Sequence, residues 1–274
     1  MSRARTALLA LPLTGVVPLL EAQAPIQDNS FLIEEAYNQE TGVVQHVSAF
    51  SRAEGGAWLY TFTQEWPLGG IAHQLSYSLA VVDPGPGTGA GVGDVMLNYR
   101  HQLVGNPEAQ LLVAPRLSLL IPTGSTTAGR GTGAFGVQAN LPVSAVLTRA
   151  LVAHANLGAT LLPSAHGPFD TRATTSALNA GASAVWLARP WLNFLVEGVW
   201  LSESEAIGEG ETVRTESLYL NPGVRWAFDA GSVQVVPGIA YTVGLGPTRG
   251  DDALFLYLSL EHSFRRGQPL TPDP

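Results

Sequence analysis

The run LFLYLSLEHSF occupies residues 254–264. Leu254, Leu256, Leu258 and Leu260 fall on alternate positions, the run ends at Phe264, and Phe255, Tyr257, Ser259, Glu261 and Ser263 stand between them. Successive side chains of a strand point to opposite faces, so alternation at period two describes a strand with one apolar and one mostly polar face.

The same period recurs along the chain while helical periodicity is nearly absent. Strands are expected at 43–51, 57–66, 72–81, 94–103, 110–121, 135–143, 151–161, 176–186, 192–200, 217–228, 233–243 and 254–264. That is about twelve strands of about ten residues. The connectors alternate in length: PLGG (67–70), GNPE (105–108), 148–149, 188–190 and DAGS (229–232) are short. DPGPGTGAG (83–91), PTGSTTAGRGTG (122–133), PSAHGPFDTRA (163–173), SESEAIGEGETVR (202–214) and GLGPTRGDD (244–252) are long and glycine-rich or polar, and only RAEGG (52–56), on the long side, is short. Tight turns at one end and long loops at the other describe an up-and-down antiparallel meander crossing an outer membrane. Pro115, Pro142, Pro222 and Pro237 interrupt expected strands, where each removes a ladder donor, so they mark bulges or misplaced boundaries.

A soluble β-sandwich or barrel is the alternative. It would crowd its outward positions with charge, yet charged residues are 13% of this chain and the polar face is mostly Ser, Thr, Asn and Gln. Leu, Val, Trp and Tyr fill the other face, and Trp58, Trp66, Trp186, Trp200 and Trp226 fall near expected strand ends, as membrane-interface aromatics do. The fold class expected is therefore all-β, a transmembrane barrel whose closure satisfies every strand backbone in lipid.

The rest of the composition narrows the function. There is no cysteine, which excludes disulfides and thiolate-bound metal, and the net charge of −8 argues against nucleic acid as a partner. Residues 1–24 have the pattern of a signal peptide: Arg3 and Arg5, an apolar run from Ala7 to Leu20, then Ala22-Gln23-Ala24. Pro25 suits cleavage after Ala24 poorly, so a site nearby competes. The expected organisation is leader 1–24, a periplasmic or luminal segment 25–42, a barrel 43–264 and a tail 265–274.

GVGDVMLNYRHQL (91–103) followed by LSLLIPTGSTTAGRGTGAFGVQANLPVS (117–144) resembles the bacterial outer-membrane barrels of the phenol meta-pathway (MetA-type) transporter-like family. The shared features are Gly91, Gly93 and Asp94 at a strand start, Pro122-Thr123-Gly124 at a strand end, and Gly131 and Gly133 entering the next strand. The resemblance implies a Gram-negative outer-membrane channel for passive uptake of small, hydrophobic or aromatic solutes. It also implies an aromatic assembly signal at the last strand, here Phe264, read by the barrel-assembly machinery. Outer-membrane lipid and a small-molecule solute are the other partners expected of what is read as a monomer.

No catalytic motif stands out and no cofactor is called for. GAGVGD (89–94) lacks the helix and lysine of a phosphate loop, and the six histidines show no metal-like spacing. Taking the polar face as inward, the lumen-lining candidates are Glu65, Asp94, Arg100, Arg116, His154, Glu197, Arg225 and Glu261. Acid and base nearly cancel, which argues against strong ion selectivity, and twelve strands imply a narrow lumen. PIQDNSFLIEEAYNQETG (25–42) is either a partial plug or a tail. An outer-membrane lipid-modifying enzyme and a purely structural barrel are the rival functions.

Overall fold

A computed structural model describes residues 29–106 and 109–264. The expected leader (1–24) and C-terminal tail (265–274) lie outside the described residues. The strands are β1 (Val43–Ala53), β2 (Trp58–Pro67), β3 (His73–Asp83), β4 (Gly91–Val92), β5 (Val95–His101), β6 (Leu111–Val113), β7 (Arg116–Ile121) and β8 (Gly136–Thr148). They continue as β9 (Leu151–His166), β10 (Arg172–Arg189), β11 (Leu192–Gly208), β12 (Glu211–Trp226), β13 (Phe228–Ala230), β14 (Val233–Leu245) and β15 (Ala253–Ser263). Each of the pairs β4/β5, β6/β7 and β12/β13 forms one interrupted stave. The result is a closed antiparallel barrel of twelve staves, in which β1 pairs with β15 and each remaining stave with its chain neighbours.

The strand faces are inverted relative to a soluble protein. Along β15, Leu254, Leu256 and Leu258 are 37–40% exposed, whereas Phe255, Tyr257 and Ser259 are 2–7% exposed. The same holds around the wall: Leu97, Leu117, Val137, Leu157 and Phe194 face out, while Gln74, Asn98, Ser118, Asn140 and Asn193 are buried. An apolar outer band around a polar interior is stable only where the outer solvent is lipid. Trp186, Trp191 and Trp226 are exposed at the end where the tight turns 149–150, 190–191 and 231–232 lie, which marks that rim as the periplasmic interface.

The four prolines that interrupt expected strands all sit beside breaks in the ladder. Pro115 lies between β6 and β7, and Pro142 lies opposite that break, between Asn140 paired with Arg116 and Val143 paired with Val113. Pro222 falls where β12 skips between Leu220–Val243 and Gly223–Ala240, and Pro237 between Arg225–Gly238 and Phe228–Val235. Each missing donor is thus placed where no ladder bond is asked of it.

Two expectations need correction. The segments 163–173 and 202–214 are not long loops: β9 to β12 are 16–18 residues each, and β11 turns into β12 across Glu209 and Gly210. An 18-residue strand is roughly 60 Å long, more than a tilted strand needs to cross a hydrocarbon core of about 30 Å. The upper parts therefore stand in water, where both faces are polar and the alternation that reveals a strand disappears. The strands of this half are correspondingly longer than ten residues.

Candidate functional site: the lumen and the segment that crosses it

Residues 29–42 precede β1 and lie inside the barrel, and their contacts, followed backward from β1, walk round its wall. Nearest β1, the Gln39 backbone N–H donates to Gln74 Oε1 of β3 (2.6 Å) and its side-chain amide donates to Gln45 Oε1 of β1. Asn38 accepts from Arg100 Nε of β5 (2.9 Å), while Arg100 also donates to the Glu35 and Tyr37 carbonyls. The Ala36 N–H donates to Ser144 Oγ of β8 (2.8 Å). Glu34 and Asn156 of β9 bond reciprocally: the Glu34 N–H donates to Asn156 Oδ1 and Asn156 Nδ2 donates to the Glu34 carbonyl, both at 2.7 Å. Phe31, Leu32 and Ile33 all donate their backbone N–H groups to Glu197 Oε1 of β11, at 3.0, 2.7 and 3.0 Å. An extended segment without secondary structure cannot satisfy its own backbone, so the wall supplies the acceptors.

Apolar side chains of the segment settle where the wall is cut back. Phe31 rests against Phe255 and Tyr257, with ring centroids 5.5 and 5.1 Å away. Its ring fills the space above Gly223 and Gly238, where an added Cβ would lie 2.6 and 2.5 Å from it. Ile33, 3% exposed, sits on Gly181 in the same manner.

The Glu34 carboxylate is the charged centre. It accepts from Arg116 Nε (2.9 Å), Arg100 Nη1 (3.2 Å) and Asn140 Nδ2 (2.7 Å). Arg116 extends the network to Asn98, Ser118 and Gln138. A carboxylate bridging two guanidiniums in a confined space satisfies all three ions at once, which an isolated pair would not do.

The eight lumen candidates divide between several tasks. Arg100, Arg116 and Glu197 touch the segment directly. Glu65 accepts from Gln74 Nε2 (2.9 Å) and Glu261 from Gln45 Nε2 (2.7 Å), so both orient glutamines of the periplasmic mouth. Arg225, 2% exposed, lies beside Asn29 and Tyr257. His154 shares a 2.7 Å hydrogen bond with Ser144 and meets the Tyr37 ring edge-on. Asp94 stands apart, at the extracellular end. Its carboxylate accepts from the Gly124 N–H (2.9 Å), the Thr132 N–H (2.8 Å) and Thr132 Oγ1 (2.7 Å), clamping the 122–135 loop. Gly131 is required there because a Cβ would meet Asp94 Oδ1 at 2.5 Å. Asp94, Gly124 and Gly131 are thus parts of a loop clamp.

Reading charges alone missed Gln74, Asn140, Ser144, Asn156 and the three glycine seats. The alternation already put the amides on the inward face; inward glycine in a strand was the further sign of close approach by another part of the chain.

Among the described residues, cavities lie beside the segment. One, about 290 Å³, is lined by Arg116, Gln138, Asn140, Asn156, Thr160 and Asn179 among others. Another, about 220 Å³, is bounded by Thr63, Glu65, Ser76, Ser78, Asn98 and Arg100 on the β2–β5 side. Around Asn29, Gln45, Arg225 and Glu261 only about 10 Å³ is left.

The inverted wall and the closed twelve-stave topology leave one assignment. The chain is a bacterial outer-membrane β-barrel. No family model and no curated protein matches it. Among solved structures it is similar to an outer membrane channel from Pseudomonas putida F1, at TM-score 0.63 and 14% identity over 84% of this chain and 98% of that one. It is also similar to the NanC porin (TM-score 0.54, 7% identity, covering 80% and 99%) and the KdgM porin (0.51, 8%, 81% and 99%). At such identities the likeness is one of fold, that of porin-like barrels.

Proposed function

We propose that this barrel is a channel for passive uptake of small solutes, and that residues 29–42 form a plug that sets its bore. The observation that carries the reading is the circuit of side-chain-to-backbone hydrogen bonds holding this segment in the lumen, with polar cavities left beside it. The resemblance to the phenol meta-pathway transporter-like barrels favours hydrophobic or aromatic solutes, whereas the cavity linings favour molecules that hydrogen-bond. A single-ring aromatic carrying hydroxyl or carboxylate groups meets both conditions.

Ser144 and His154 are the pair that an enzyme reading would use. They are 0% and 2% exposed, the Ser144 hydroxyl already accepts the Ala36 N–H, and the Tyr37 ring packs on the imidazole. A nucleophile must be reachable by substrate, so this pair is better read as a brace for the plug.

Planar-bilayer recording tests the proposal. The full chain is expected to show small discrete conductance steps, and deletion of residues 29–40 is expected to raise them at least threefold. Unchanged steps would dismiss the plug, and silence from both proteins would dismiss the channel.

A further inference from the structure

Four of the six histidines lie on the outer wall near the periplasmic rim. His46, His73, His101 and His262 each neighbour an inward residue (Gln45, Gln74, Arg100 and Glu261), so strand alternation turns them outward. They are unusual choices for a face otherwise made largely of aliphatic and aromatic side chains.

Two of them meet across the closing seam. β1 and β15 pair with His46 opposite Leu260 and His262 opposite Val44, which sets the imidazoles on a diagonal. Their Nε2 atoms are 3.1 Å apart and the ring planes differ by 25°. His262 Nδ1 lies 3.1 Å from the Ser263 carbonyl oxygen. A nitrogen facing a carbonyl carries the proton, so His262 presents a bare lone pair at Nε2. A carbonyl on the far ring nitrogen is also the contact that orients metal-binding histidines. Phe62 backs the His46 ring at 6.0 Å.

We propose that His46 and His262 form a site for a divalent transition ion such as Zn2+, clipping the first and last staves together. Two nitrogens bound at about 2.0–2.1 Å to one tetrahedral ion lie roughly 3.3 Å apart, so the pair parts by only about 0.2 Å as the rings rotate to converge. His46 gives up the Nε2 proton it shares with His262 and takes one at Nδ1 from solvent. No net proton is lost, and both Nε2 lone pairs reach the ion. Water from the periplasmic boundary completes the coordination. Imidazole donors select Zn2+, Cu2+ or Ni2+ over Mg2+ and Ca2+. The ion would join residues 216 positions apart in sequence, a pairing that no motif spacing can announce.

The pair His73 and His101 is the internal control. Its rings stack at 4.9 Å, but among the described residues no hydrogen bond joins the two ring nitrogens as it does at His46 and His262: His73 Nδ1 meets the Tyr99 hydroxyl at 2.7 Å and His101 Nδ1 the Ala72 carbonyl.

The test uses the full chain without a histidine tag, folded in detergent micelles and titrated calorimetrically with zinc chloride, with heat-modified gel migration read in parallel. One Zn2+ per chain is expected, together with a rise of several degrees in the temperature of half-conversion, reversed by EDTA and absent with Mg2+. His46→Gln keeps a side chain able to hydrogen-bond across the seam but removes one ligand, and should weaken Zn2+ binding at least tenfold in a barrel that still migrates as folded. His73→Ala/His101→Ala should bind as the parent does. No stoichiometric Zn2+ binding by the parent, or binding unaltered by His46→Gln, would overturn the site.

Discussion

The two sides of the lumen hold the same segment by different physics. On the β5–β7 side, Arg100 and Arg116 grip the Glu34 carboxylate through charge-assisted bonds. On the β10–β15 side, the grip is a carboxylate on backbone: Glu197 collects three consecutive N–H groups, while Phe31 and Ile33 sink into places left by Gly181, Gly223 and Gly238. The Arg116–Glu34 pair, whose side chains keep 18% and 22% of their exposure beside a polar cavity, is more open to ionic screening than the fully buried contacts of Glu197. The glycine side is therefore the firmer anchor, and the arginine side the one that responds to the solution.

The largest effect expected from breaking this asymmetry is at Glu197. Glu197→Ala leaves three N–H groups without their acceptor, at about 1–3 kcal/mol for each that water cannot reach. The 31–33 end should come free, and single-channel conductance should approach that of the 29–40 deletion. Glu197→Gln keeps one acceptor oxygen and should fall between the two. Parent-like conductance in Glu197→Ala would mean that packing alone suffices. Gly238→Val is expected to follow, because its side chain occupies the place of the Phe31 ring. A cysteine introduced as Ser30→Cys should then react with a water-soluble maleimide at least tenfold faster than in the parent background. Arg116→Gln should do less: Arg100 and Asn140 still hold Glu34, so conductance is expected to rise by under twofold. That rise should shrink as salt is increased from 0.1 to 1 M, and a salt-independent effect would assign Arg116 a steric role instead.

This contrast also explains what could be read from the chain alone. The barrel was legible because lipid and lumen impose opposite polarity on alternate residues, and that rule holds wherever a stave crosses hydrocarbon. It failed above the membrane, where Glu203 and Glu205 on one face and Ser202 and Ser204 on the other make β11 polar all round, Glu211 and Glu216 do the same for β12, and the hairpin reads as a loop. The charged lumen positions were legible for the same reason as the strands. Their partners were not, because alternation gives the side of the wall a residue faces and nothing about what crosses the space. Asp94 shows the limit from the other direction: it lies one residue before β5, where alternation stops governing direction, and its carboxylate turns to a loop.

Asp94 gives the smallest expected effect on the bore, and it separates loop order from plug order. Asp94→Asn keeps an acceptor oxygen but replaces the charge that receives the Gly124 and Thr132 donors. Hydrogen bonds to a charged acceptor are roughly twice as strong as neutral ones, so the 122–135 loop should open more often while the staves stay paired. Arg130 lies in this loop, and its side chain is tied to the Thr88 and Gly89 carbonyls of the neighbouring loop. Trypsin cleavage after Arg130 in whole cells should therefore quicken several-fold in Asp94→Asn, with single-channel conductance within about 20% of the parent. A large conductance change without faster cleavage would place Asp94 in the permeation path rather than over it.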